Sequence, residues 1–158
     1  MVKSYQIVFD NIKEIKPAEI LARSLYRSGM EFRIDIKSLF DKTLLKLRVK
    51  GEGNGIRFKK ILVLNGGKFF HFSDDVAVIA NYPKKVFYNT GENIWCLNAT
   101  KISQKFNCSE EYPLIGAIAR TGITTLSSII LEIYRNYDKM DAHKRALAAK
   151  RGFESIKI

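Results

Sequence analysis

Alternating apolar and polar residues run through much of the first hundred positions, most clearly over residues 43–50. In that segment Leu45, Leu47 and Val49 alternate with cationic side chains. This is the period of two that a half-buried β-strand shows, because successive side chains point to opposite faces of a sheet. We therefore predict a strand with an apolar face and a basic face.

Two turn signals follow this strand and predict a meander. The glycine-rich residues 51–55 form a turn, and residues 56–64 then continue as a strand. The Asn-Gly-Gly sequence at 65–67 is a strong hairpin signal, after which residues 68–72 return as a third strand. Residues 43–72 are thus expected to form three consecutive neighbouring strands.

Shorter runs predict further strands on both sides of this meander. Residues 4–9 and 31–36 alternate in the same way as the central strand. Residues 76–80, 86–88 and 94–97 are shorter candidates that are separated by turn residues. The first two-thirds of the chain is therefore expected to be rich in β-structure.

Helical spacing replaces this alternation in two parts of the chain. Pro17 suits the first turn of a helix and Gly29 suits its end, which predicts one helix between them. Beyond Ser109 the apolar residues recur at helical spacing, and a last helix is expected over residues 140–151, ended by Gly152.

These elements predict an α+β fold with a mostly antiparallel sheet, an N-terminal helix and a helical C-terminal third. Residues 1–158 are expected to form a single domain, since the length suits one and no repeat or linker divides them. Residues 1–9 lack the apolar core of a signal peptide, so we expect an intracellular protein, not a secreted one. Cys96 and Cys108 are then expected to be free thiols.

The distribution of charge suggests a binding surface. The formal net charge is +11, and residues 42–72 hold eight basic residues and one acidic residue, a net +7. A basic segment of this kind favours a polyanionic partner such as nucleic acid.

The predicted strands would place these cations together. Lys46, Arg48 and Lys50 would project from one face, and Arg57 and Lys59 would do so across the turn. Like charges opposite each other on neighbouring strands are destabilising, so a bound polyanion is expected to compensate them. A solvated face, or lysines that protect an exposed sheet edge, is the alternative.

The candidate nucleic-acid-binding residues are these cations and two further basic groups. They are Lys46, Arg48, Lys50, Arg57, Lys59, Lys60 and Lys68, followed by Lys84, Lys85, Lys144, Arg145, Lys150 and Arg151. Tyr82 and Tyr88 are the candidates for stacking on bases.

No constellation of catalytic or metal-binding residues stands out. His71 and His143 belong to no recognisable motif. The acidic pairs at 74–75 and 110–111 are interpreted as a turn and as a helix start, where negative charge is favourable. We therefore predict no catalytic residue, metal or cofactor, and an enzyme acting on an anionic substrate is the lesser alternative.

The leading hypothesis is a non-enzymatic protein that binds RNA or single-stranded DNA, including a viral or phage nucleocapsid or packaging protein. The alternative is a self-associating, matrix-like assembly protein on anionic membrane surfaces. Residues 153–158 are apolar enough to pair as an extended strand and form a homo-oligomer. Packing of this tail on its own core is the competing interpretation.

Overall fold

The structure, a computed structural model, describes residues 2–52, 58–65, 67–69, 75–81, 85–87 and 93–156. The strands in this part of the chain are β1 (Val2–Phe9), β2 (Glu31–Leu39), β3 (Lys42–Glu52), β4 (Lys60–Leu64), β5 (Gly67–Phe69), β6 (Val76–Asn81), β7 (Lys85–Phe87) and β8 (Ile94–Leu97). The helices are α1 (Lys16–Arg27), α2 (Ala99–Phe106), α3 (Glu111–Ala119), α4 (Leu126–Asn136) and α5 (Lys139–Glu154).

Six of these strands form a mixed sheet in the order β2-β3-β1-β4-β6-β8. The strands β2, β3 and β1 are antiparallel neighbours, whereas β1, β4, β6 and β8 run parallel to one another. The strands β5 and β7 form a separate parallel pair. The α+β class is confirmed, but the expectation of a mostly antiparallel sheet is wrong.

The predicted meander over residues 43–72 does not form, because β1 lies between β3 and β4. Tyr5, Ile7 and Phe9 of β1 are at most 3% exposed, so β1 buries its apolar side chains fully in a central position. Turn signals indicate which strands are consecutive in sequence. They do not indicate that another strand lies between these two in the sheet.

The described helices pack on one face of the sheet. Fully buried side chains on alternate positions, including Ile7, Leu47 and Ile79, join α1, α3, α4 and α5 in one apolar core. We call the opposite side of the sheet the outer face. There Leu64, Val78 and Ala80 form a small separate apolar cluster on β4 and β6.

The helices α3 and α5 approach each other at two glycines. A Cβ atom at Gly116 would lie 1.9 Å from the carbonyl oxygen of Ala149, and one at Gly152 would lie 1.9 Å from that of Pro113. Gly152 was predicted to end the last helix, but α5 continues to Glu154. The glycine is needed for close backbone approach and does not act as a helix stop.

The predicted N-terminal helix is confirmed as α1, and Gly29 after it has a φ of +84°. Three of the later helices, α2, α4 and α5, begin at a capping side chain. Asn98, Thr125 and Asp138 each accept a hydrogen bond from the backbone N–H three residues further on.

The tail packs on its own chain. Phe153 lies in α5 with the Arg120 guanidinium 4.8 Å from its ring centroid, and Ile156 is 3% exposed within the core. The hypothesis of an extended, self-associating strand is therefore wrong for residues 153–156, since α5 passes through Gly152 and directs the tail inward. Ile158 lies outside the described residues.

Candidate functional site

The cations of β3 lie on the outer face of the sheet. Lys46, Arg48 and Lys50 alternate with apolar side chains that are at most 1% exposed and point towards the helices. Arg48 and Lys50 are exposed, and Lys46 is half-buried.

One register row crosses four strands of this face. Arg33 of β2 pairs with Arg48, Arg48 pairs with Gln6 of β1, and Gln6 pairs with Lys60 of β4. Since paired residues of neighbouring strands point to the same face, these side chains form one line. A cleft of about 760 Å³ lies beside it. The polar and charged residues that line the cleft are Ser4, Gln6, Glu31, Arg33, Arg48, Lys50 and Lys59.

Acidic residues of β2 compensate the cations of β3. Asp35 lies between Arg33 and Arg48, with Oδ1 3.3 Å from the first Nε and Oδ2 3.5 Å from the second. Glu31 is in register with Lys50. The expected pairing of β3 with the cations of residues 56–64 is wrong, because β1 lies between β3 and β4, and the other neighbour of β3 is β2, which presents both acidic and basic side chains on this face.

The other predicted cations near this surface are placed as follows. Lys59 is exposed just before β4, with Nζ 4.0 Å from Oδ2 of Asp75. Lys68 and Lys85 lie in β5 and β7. Outside the described residues lie Arg57, Lys84, Tyr82, Tyr88 and His71.

The cations of α5 belong to the helical layer, on the other side of the sheet from the β3 cations. The Arg145 side chain is only 16% exposed, and its guanidinium lies 4.1 Å from the ring centroid of Tyr137. Lys144 and Lys150 lie 3.6 and 4.0 Å from acidic side chains one turn away, and Arg151 is exposed. The structure does not join these cations to the cleft.

A buried polar cluster that the sequence did not indicate lies where the parallel strands end. Ligands of open α/β sheets bind at this edge. Asn81, at the end of β6, is fully buried, and its Nδ2 lies within 3.0 Å of Asn65 Oδ1, Thr100 Oγ1 and Glu110 Oε2. Its Oδ1 accepts a hydrogen bond of 2.8 Å from the backbone of Ala99.

The same cluster continues to the end of β1. Asp10 Oδ1 accepts a hydrogen bond of 2.8 Å from the backbone N–H of Asn65, and burial raises the pKa of the Asp10 carboxyl. Thr100 donates to Glu110, whose other carboxylate oxygen lies 3.5 Å from Nζ of Lys13. These contacts connect the ends of β1, β4 and β6 through polar side chains.

Glu111 supplies a carboxylate to the loop between β1 and α1. Its Oε1 accepts hydrogen bonds from the backbone N–H groups of Lys13, at 2.6 Å, and Glu14, at 3.0 Å. The side chain is 1% exposed, and burial raises the pKa of its carboxyl. In doubly wound α/β folds the loop after the first strand commonly binds anionic ligands. In this chain two N–H groups of that loop donate to the chain's own Glu111.

One feature of the sequence indicates that the carboxylates at the start of α3 are buried. The interpretation of residues 110–111 as a helix start is correct, since α3 begins there. Every residue of α3 is buried. A helix without a polar face lies inside the protein, and the carboxylates at its start are then buried with it.

The described part of the chain contains three further cysteine or histidine side chains, those of Cys96, Cys108 and His143. Both cysteines are free, and burial raises the pKa of the Cys108 thiol to about 11, which keeps it protonated near neutral pH. His143 is exposed, with Nδ1 3.2 Å from the Tyr134 hydroxyl. Among the residues placed by the structure, no cluster of three or more His, Cys, Asp or Glu side chains could hold a metal ion.

None of the helices in the described ranges combines the length and apolar character that a bilayer crossing requires.

One full-length relative defines a family for this chain. No family model matches the sequence. A protein of Archaeoglobus fulgidus, described as an uncharacterized protein, is 32% identical over 158 residues, which are the whole of both chains. The chain belongs to the family of this archaeal protein.

Two solved structures share the fold of this archaeal family. The pyruvate oxidoreductase subunit PORC of Thermotoga maritima has a TM-score of 0.74 and 17% identity, with 98% of each chain covered. The gamma subunit of a keto/oxoacid ferredoxin oxidoreductase from Geobacter sulfurreducens has a TM-score of 0.65 and 12% identity, with 97% of this chain and 96% of that chain covered. At these identities the likeness establishes the fold.

These findings correct the functional hypotheses. Binding to RNA or single-stranded DNA and a matrix-like role on membranes are wrong, because the proteins that share the fold are subunits of oxidoreductases. The viral or phage origin is also wrong, since the family relative is archaeal. The expected partners, nucleic acid and anionic membrane surfaces, are corrected by the same finding, since the proteins that share the fold are subunits of oxidoreductases.

Proposed function

We propose that this chain is a non-catalytic, single-domain subunit of an intracellular oxidoreductase complex of the 2-oxoacid–ferredoxin type. The observation that supports the proposal most is the fold likeness over nearly the full length of two such subunits. The inference from fold to role is one of analogy, and the contacts of this chain add to it.

The outer face supplies a surface for a partner subunit. Arg33 and Arg48 have side chains that are 75% and 54% exposed, although both lie beside Asp35. Guanidinium groups can bind a second carboxylate while one is already present, and arginine is enriched at protein interfaces. We propose that these arginines and Lys50 contact an acidic surface of another subunit.

The polar cluster supports a role without catalysis. Asn81 directs both of its amide atoms, and Glu111 one carboxylate oxygen, at neighbouring groups of the same chain, at the edge where related folds bind ligands. On this proposal the oxidation of the 2-oxoacid takes place on partner subunits, and this chain contributes to their assembly.

The test is to purify the affinity-tagged chain from its own cells under anaerobic conditions. We expect it to elute in an assembly far larger than its own 18.1 kDa, together with 2-oxoacid-dependent reduction of a viologen dye. Cells that express the tag alone are the control. A chain that elutes at its own mass without this activity would refute the proposal.

A further inference from the structure

The hairpin that joins β2 and β3 carries an exposed aromatic residue at its tip. Leu39 pairs with Lys42, so the loop consists of Phe40 and Asp41. The Phe40 side chain is 109% exposed, which means that it makes no packing contact that shields it from solvent. Burial in this chain therefore does not explain a phenylalanine at the tip.

The backbone of Phe40 is also in an unfavourable conformation. Its φ is +51°, in the left-handed region that bulky side chains rarely adopt. The other described residues with positive φ are Asn107, Gly29 and Gly122, which are types that tolerate it. A strained and fully exposed phenylalanine thus lowers the stability of the free chain. This suggests that Phe40 contacts another molecule.

The hairpin tip projects from the sheet. The pairing of β1 with β3 ends at Phe9 and Leu45, and the Ile12 backbone N–H then donates to the Thr43 carbonyl, so Phe40 and Asp41 lie beyond this last contact. Lys37 and Lys42, on either side of Phe40, are exposed. Asp41, beside Phe40 in the loop, is exposed and acidic, so the tip is an apolar projection with two basic neighbours and one acidic neighbour.

We propose that Phe40 inserts into an apolar pocket, bordered by acidic side chains, on a partner subunit of the oxidoreductase complex. This inference rests on the proposed function and identifies the residue that anchors the contact. Aromatic residues that fill a partner's pocket carry much of the binding energy of interfaces. The arginines of the cleft lie on the same pair of strands, seven and eight residues from the tip, so a partner that contacts both must span about 23–26 Å of strand.

The experiment compares three full-length variants with the wild type. Phe40→Asn removes the aromatic ring and suits positive φ, whereas Phe40→Trp keeps an aromatic ring. Tyr26→Asn is the matched control, since Tyr26 is 67% exposed and contacts Phe32 near the start of β2, about 26 Å of strand from the tip. Each is titrated against the 2-oxoacid-oxidising subunits purified from cells in which the gene for this chain is deleted.

We expect Phe40→Asn to weaken this association about 30-fold. Its thermal midpoint should rise by about 2–4 °C, because asparagine relieves the backbone strain. Phe40→Trp and Tyr26→Asn should bind as the wild type does. A purely structural role for Phe40 predicts a lower thermal midpoint instead.

The outcomes separate this inference from the proposed function. If the wild type associates and Phe40→Asn associates equally well, the inference is overturned and the proposed function stands. If the wild type neither binds these subunits nor co-purifies with 2-oxoacid-dependent activity, both fail. If light scattering shows a dimer of this chain that depends on Phe40, the inference is also overturned. The pocket that Phe40 fills would then belong to a second copy of this chain.

Discussion

At the scale of single residues, Gly116 and Gly152 set the distance between α3 and α5. In an open helix, replacing glycine by alanine stabilises a protein by about 0.5–1 kcal/mol. At Gly152 the new Cβ would lie 1.9 Å from the carbonyl oxygen of Pro113. A backbone oxygen has no rotamer through which it can move away, so the helices themselves must separate.

We predict that Gly152→Ala lowers the free energy of unfolding by about 1–3 kcal/mol, the usual cost of overpacking. Chemical denaturation measures it. Lys150→Ala, at an exposed position of the same helix, is the control and should change stability little. A stabilised Gly152→Ala protein would mean that the two helices do not touch as described.

The buried carboxylate of Glu111 makes stability depend on pH. Burial raises its pKa above the ordinary value of 4.5, and its Oε2 has no hydrogen-bond partner among the described residues. The neighbouring charge of Glu110 raises it further. As pH rises from 4.5 to the raised pKa, the unfolded chain releases a proton that the folded chain keeps, so the stability from this group falls.

We predict that Glu111→Gln is less sensitive to pH than the wild type. The difference in unfolding free energy, wild type minus Glu111→Gln, should decrease as the pH is raised from 4 to 7, because above pH 4.5 the folded chain keeps a proton that the unfolded chain releases. Denaturation of both proteins over this range gives the difference, in which the other acidic groups cancel. A constant difference would show that Glu111 titrates normally.

At the scale of elements, the sequence located most strands but not their neighbours. Residues 94–97 form β8 as predicted, and residues 76–80 lie within β6. Alternation shows which side chains are buried, but it does not show which strand lies alongside, because that depends on contacts distant in sequence. The position of β1 between β3 and β4 is such a contact.

The charge arrangement of the candidate site could have been predicted from the sequence. The strand at residues 31–36 places Glu31, Arg33 and Asp35 opposite its apolar side chains. Pairing it with residues 45–50 across the two-residue loop would have set Asp35 beside the cations of β3. The buried polar cluster could not have been predicted from the sequence, since Asn81 and Glu110 meet only after the chain has folded.

The pair β2–β3 gives a prediction about salt. Asp35→Asn leaves Arg33 and Arg48 in register without the carboxylate between them. We expect a loss of up to about 1 kcal/mol at low salt, since all three groups are partly solvated. Thermal denaturation should show the loss shrinking at about 1 M salt, where the screening length falls to about 3 Å.

A matched double variant tests whether repulsion between Arg33 and Arg48 causes the loss of stability in Asp35→Asn. Asp35→Asn with Arg48→Gln removes one of the two like charges and should recover much of the lost stability. If the double variant is no more stable than Asp35→Asn at low salt, repulsion between the arginines is not the cause.

At the scale of the whole molecule, the outer face and the helical layer are predicted to differ in function. Lys50→Glu reverses a charge at the cleft and should weaken association with the partner subunits about tenfold, mostly through slower association. Lys101→Glu, an exposed change near the start of α2, is the control, since an acidic residue there suits the helix.

Surface plasmon resonance at two salt concentrations measures both variants. The Lys50→Glu effect should diminish at the higher concentration, because screening weakens charge steering. Equal association of the wild type and Lys50→Glu at low salt would exclude the outer face as the docking surface.

The contact between α3 and α5 also limits how the family can evolve. Neither Gly116 nor Gly152 can gain a side chain unless one helix moves, and such a movement would disturb Phe153 and the buried Ile156 as well. Single substitutions at these glycines should therefore be removed by selection, while exposed positions drift. In relatives too divergent to recognise by overall identity, we expect these two glycines, and the spacing between them, to remain.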